Sequence, residues 1–126
     1  MDKKILVDNY IKEGKTLIKS LDKAGVPVTS AFWFFDTGSE DWKLILATTY
    51  YDTKGPHDTY QEISKYTKGI DEVSLKYIQT LSPNNQLISL LKSVLVTKKN
   101  AIEGIRFTGN TVNNIFIPDA YIYRLS

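Results

Sequence analysis

The residues best suited to chemistry in this 126-residue chain lie where the apolar run Ala31-Phe32-Trp33-Phe34-Phe35 gives way to Asp36-Thr37-Gly38-Ser39. A carboxylate at the end of an apolar strand could activate water if a second carboxylate shared its proton across a few ångströms. The chain holds one copy of this stretch, so two such carboxylates would meet only in a dimer. The other titratable candidate is His57, the single histidine. It follows Gly55-Pro56 at an expected helix start, where free backbone N–H groups can hold an anion. With Asp58 beside it, His57 could serve as a lone acid–base group. One histidine and no cysteine exclude disulfides, thiol catalysis, Cys-based metal sites and multi-histidine metal sites. The sequence implies neither a metal nor a cofactor.

Phe35-Asp36-Thr37-Gly38-Ser39, with Trp42 shortly after, resembles the catalytic turn of the aspartic proteases, which implies a hydrolase using Asp36. That family also has an all-β body, a glycine-rich flap hairpin and a late apolar-apolar-Gly segment. Here a long helix precedes the turn, and a helix beginning at Pro56 stands where the flap would be. Ile102-Glu103-Gly104 carries a charge where the family is apolar. Asp, Thr, Gly, Ser and Glu between two apolar strands are good turn formers, with Gly38 free to take positive φ. Asp36, Glu40 and Asp41 supply oxygen donors, but their spacing is not that of a calcium loop. A solvated turn is the favoured reading.

The elements around these residues follow from periodicity. Over residues 3–24, Leu6, Val7, Tyr10, Ile11, Leu17, Ile18, Leu21 and Ala24 fall on one side of a helix, with Gly14 inside that face. Gly25 and Pro27 stop it. Residues 28–35 and 42–49 form a hairpin, with Val28, Ser30, Phe32 and Phe34 on one face and Thr29, Ala31, Trp33 and Phe35 on the other. A second helix runs from Pro56 to about residue 68. A third strand covers 73–81. Ser82 caps a third helix whose apolar face carries Leu87, Ile88, Leu90, Leu91, Val94 and Leu95. A second hairpin occupies 104–125, turning at Asn113-Asn114, with Pro118 bending its strand or lying at an edge. The order is α-β-β-α-β-α-β-β, a single α+β domain over residues 1–126. Its mixed or antiparallel sheet has about five strands, with three helices packed on it.

Surface chemistry offers two further readings. Lys12, Lys15, Lys19 and Lys23 line the outer side of the first helix and could touch phosphates, as could His57 or the Arg106/Arg124 hairpin. Charged outer faces are normal for amphipathic helices, and a net charge of +2 is small, so nucleic acid is possible but not favoured. Aromatic residues are the richest feature, with eight Tyr, five Phe and two Trp. Trp33, Phe35, Tyr121 and Tyr123, with Arg106 and Arg124, could form an interaction surface. If the helices cover only one sheet face, the other needs a second copy or a protein partner.

Phe32-Trp33-Phe34-Phe35, Trp42-Lys43-Leu44, Gly55-Pro56 with Tyr60, Gly104-Ile105-Arg106-Phe107 and Asp119-Ala120-Tyr121-Ile122-Tyr123-Arg124 together resemble a group of small bacterial proteins. The resemblance spans most of the chain after the first helix and carries no activity with it. Fourteen lysines against two arginines fit an AT-rich bacterial or phage genome. No apolar run approaches the ~20 residues that cross a bilayer, and Asp8 and Asn9 interrupt Ile5-Leu6-Val7 before a secretory core can form. The expectation is therefore a non-enzymatic cytoplasmic protein-interaction module, a homodimer or an accessory subunit of a bacterial or phage system.

Overall fold

The computed structural model describes Leu6 and residues 8–67 and 77–126, so the start of the expected first helix and residues 73–76 of the expected third strand lie outside the described residues. The order is α1 (Asp8–Lys23), β1 (Ser30–Asp36), β2 (Asp41–Ala47), α2 (Tyr50–Ser64), β3 (Ile78–Leu81), α3 (Gln86–Lys92), β4 (Ile105–Val112) and β5 (Ile115–Leu125), as the periodicity predicts. The five strands form one mixed sheet in the order β3-β2-β1-β5-β4. Each hairpin is antiparallel, while β3 reaches β2 through α2 and pairs with it parallel. β1 is central because β5 returns to pair antiparallel along its free side.

Alternation along the strands builds two cores. Ala31, Trp33, Phe35, Trp42, Leu44 and Leu46 face α1 and α2, where they meet Leu17, Ile18, Leu21 and Ile63. Phe32, Ile45, Ala47, Ile122 and Leu125 face the other way and pack on Ile88 and Leu91 of α3. Each of these fully buried aliphatic side chains stabilises the fold by about 1.5–3 kcal/mol before entropy is counted. The bare sheet face considered above is therefore absent among the described residues. Three helices suffice because α3 takes the second face, which leaves Phe34 and Phe107 only partly covered.

The register of β5 against β1 shifts once. Ala31 pairs with Arg124 but Phe32 pairs with Ile122, so Tyr123 is the extra residue of a bulge. A bulge breaks the alternation of side chains. Tyr123 and Arg124 consequently both point towards α1, where the first bonds Ile11 and the second bonds Asp22.

Some local readings change. Asn85, not Ser82, caps α3: its side chain accepts from the Leu87 N–H at 2.9 Å. Ser82 instead opens a tight turn, accepting from the Asn84 N–H through its hydroxyl and from the Asn85 N–H through its carbonyl. α3 ends at Lys92, so Val94 falls beyond the helix and is exposed. Gly55 adopts φ 84° and ψ 167°, a conformation that breaks α2 before Pro56 starts its second part. At the second hairpin, Asn113 and Asn114 take φ 48° and 67°, the left-handed pair a two-residue hairpin turn requires. Pro118 precedes Ala120, where β5 begins to pair with β1, so its missing N–H costs no bond to β1.

In the first hairpin the left-handed position is Glu40, at φ 55°, rather than Gly38. A non-glycine residue there carries a penalty of roughly 1–2 kcal/mol. Glu40→Gly is accordingly expected to raise stability by roughly 0.5–1 kcal/mol after glycine's extra chain entropy is subtracted, read as a higher urea midpoint with unchanged slope.

Candidate interaction surface

The aromatic and arginine residues singled out in the sequence divide into two groups. Trp33, Phe35, Tyr123 and Arg124 lie inside the subunit. Tyr10 stacks on Trp33 with ring centroids 5.7 Å apart, and Phe35 meets Trp42 edge-on at 5.5 Å. The Trp33 indole N–H donates to Tyr123 Oη at 3.0 Å, and that hydroxyl donates to the Ile11 carbonyl at 2.5 Å. These rings face α1 because they occupy alternate positions on central strands, so they form no platform open to bases or to another chain. Arg124 is also interior: its guanidinium donates to both oxygens of Asp22 and to the carbonyls of Val28 and Ala101.

Tyr121 and Arg106 lie nearer the surface. Tyr121 is half-buried and meets Tyr123 edge-on at 5.4 Å. Arg106 is exposed, lies over the Trp42 ring at 5.7 Å, and grips the buried Asp119 carboxylate through Nε at 2.7 Å and Nη2 at 2.5 Å. The Thr108 hydroxyl donates to the same carboxylate. That hydrogen bond to Asp119 raises the Arg106 pKa, so Arg106 is a fixed cation. This clamp joins β4 to β5 at the base of an arm. β1 pairs with β5 only from Ala120 onwards, whereas β4 pairs with β5 back to Ile115. The hairpin therefore continues past the end of β1.

Two further apolar residues stand on that arm. Ile115 is 54% exposed and Phe116 is 61% exposed. Their signal in the sequence is Asn-Asn followed by Ile-Phe-Ile, three apolar residues in a row directly after a turn. Alternation must then turn at least one of them outward, and here only Ile117 is buried. β4 is the outer strand, but its edge is a poor template for strand addition: Gly109 turns left-handed at φ 61°, and the Asn110 side-chain amide occupies the Thr108 carbonyl. Contact at this arm must run through side chains.

The remaining candidates are separate from the arm. Lys12, Lys15, Lys19 and Lys23 are exposed on α1, and His57 is exposed just after the break in α2. Asp36 accepts from the Gly38 N–H at 3.0 Å with one oxygen and from the Ser39 hydroxyl at 3.2 Å with the other, so its carboxylate organises its own turn. Among the described residues no cluster of His, Cys, Asp or Glu is placed to hold a metal ion, and no helix is long and apolar enough to cross a membrane. No protein-family model matches the chain, and neither a curated protein nor a solved structure is significantly similar to it.

Proposed function

We propose that this protein is a non-enzymatic interaction module of the cytoplasm that self-associates through the β4–β5 arm, as a homodimer serving a bacterial or phage system. The observation that carries this reading is the exposure of Ile115 and Phe116 side by side on a hairpin that projects past its sheet. Among the described residues the sheet faces are covered by the chain's own helices, and two of the four large hydrophobic side chains still open to water, Ile115 and Phe116, stand on the arm. A twofold contact through Phe116 would bury that side chain on both copies at once. The Arg106–Asp119 clamp holds the arm in place beforehand, which lowers the entropy lost on association.

The mass in solution, measured by light scattering over a concentration series, tests the reading. The expected result is a dimer that Phe116→Asp converts to a monomer with an unchanged circular dichroism spectrum. A wild-type chain that stays monomeric at its highest soluble concentration removes the proposal. The nucleic-acid alternative rests on a different observation: Asp22 turns to Arg124, which leaves the four α1 lysines without that neutralising neighbour. It requires a gel shift at low salt that Lys15→Glu with Lys19→Glu abolishes.

A further inference from the structure

A cleft of about 740 Å³ lies between the loop that follows α1 and the segment around residues 96–100. Its size falls inside the range of roughly 300–1,000 Å³ typical of small-molecule sites. Val26, Pro27 and Val28 line one side and Val96 the other. Val96 is 63% exposed although it is aliphatic, which means that nothing in the subunit covers the apolar wall it forms.

The polar groups of the cleft favour negative charge. Arg124 lines it while remaining 1% exposed. A guanidinium has five N–H donors. In Arg124, Nε is bonded to Ala101, Nη1 to Asp22 and Val28, and Nη2 once to Asp22, which leaves one Nη2 hydrogen without an acceptor among the described residues. Lys99 lines the same cleft, is exposed, and takes part in no ion pair among the described residues. Asp22 is the one carboxylate side chain in the lining, and both of its oxygens are engaged by Arg124. Asp22 and Arg124 neutralise one another, so Lys99 is the side-chain charge of the lining left outside an ion pair among the described residues, beside the aliphatic wall of Val96.

We infer that this cleft binds a small amphipathic anion, an apolar body seated on Val26, Val28 and Val96 with a carboxylate or sulfonate directed to Lys99 and the free N–H of Arg124. The apolar body gains by removing aliphatic surface from water, and the charged end selects among ligands of similar size. This site is independent of the arm. Its test does not depend on the oligomeric state.

Fluorescence titration of the whole chain with anilinonaphthalene sulfonate, and in parallel with its uncharged analogue phenylnaphthylamine, tests the inference. One saturable site for the sulfonate is expected. Val96→Trp, which fills the cleft from an exposed position, should abolish binding of both probes. Lys99→Glu should weaken the sulfonate about tenfold, the equivalent of one 1.4 kcal/mol step, and leave the uncharged probe unchanged. Phe116→Asp should leave both affinities as they are, since the arm is elsewhere. Absence of saturable binding overturns the inference, and so does sulfonate binding that survives Val96→Trp. Equal affinity for the two probes with no effect of Lys99→Glu overturns the assigned ligand class.

Discussion

Tyr123→Phe is expected to lower the unfolding free energy by about 1–3 kcal/mol, because it strands the buried Trp33 indole N–H, and an unsatisfied interior donor costs roughly that much. The Trp33 indole N–H would lose its partner, while the Ile11 carbonyl, inside α1, would lose only a second donor beside its helical one. Urea unfolding followed by tryptophan fluorescence measures the change. A loss below that of an ordinary surface substitution would show that water replaces the hydroxyl. The same hydroxyl gives the protein an alkaline limit. Burial, opposed in part by the Trp33 hydrogen bond, holds it protonated well above the ordinary tyrosine value of 10.0. In the unfolded chain it ionises near that value, so its contribution is intact below about pH 10 and declines by up to ~1.4 kcal/mol per pH unit above it. Tyr123→Phe should remove that decline.

Gly14 belongs to the same contact. A Cβ at this position would stand 2.5 Å from Tyr123 Oη and 3.0 Å from Trp33 Nε1. Alanine in place of glycine within a helix ordinarily gains about 1 kcal/mol. Here the crowding outweighs that gain, and Gly14→Ala should cost about 1–2 kcal/mol net. The Gly14→Ala/Tyr123→Phe pair should lose less than the sum of the singles, since removing Oη removes the shortest contact. Strict additivity would break the link between helix approach and hydroxyl.

The second large effect concerns Arg124. Arg124→Ala should cost about 3–5 kcal/mol, since it empties a buried site and leaves the Val28 and Ala101 carbonyls without their donor. Asp22 is 34% exposed, so its carboxylate can return to water when the arginine is removed. The reverse deletion differs in kind. Asp22→Ala leaves a buried guanidinium holding only carbonyls, and a loss of about 2–4 kcal/mol is expected because an unpaired interior charge is the expensive state. Arg124→Met keeps volume and discards the charge. Adding it to Asp22→Ala should therefore recover part of the loss, and urea midpoints for the two singles and the double decide the matter. A double variant weaker than Asp22→Ala alone would assign the effect to packing rather than to charge.

Much of the fold was legible because its signals are local. The 3.6-residue spacing of Leu17, Ile18 and Leu21 marks α1 and its buried side. Asn113-Asn114 suits the left-handed turn that it makes. Two-sided apolar strands announce burial on both faces, yet the periodicity cannot name which element does the covering. The cap of α3 was misplaced because Ser82 and Asn85 offer similar side-chain acceptors, and only the backbone path selects one. The candidate surface was the least legible part. Trp33 and Tyr123 suggest a platform when taken as composition, but α1 closes over them.

The sequence by itself determined the order of elements, both hairpins and the sheet face on which most strand residues lie, because those follow from backbone preferences and side-chain period over a few neighbours. Tertiary structure alone decided the strand order and the bulge at Tyr123 that turns two successive side chains to α1. It also joined Arg124 to Asp22, 102 residues apart, and left Phe116 beyond the end of β1. Such features depend on how distant segments meet, and one register step between β1 and β5 would change them without altering a single local preference.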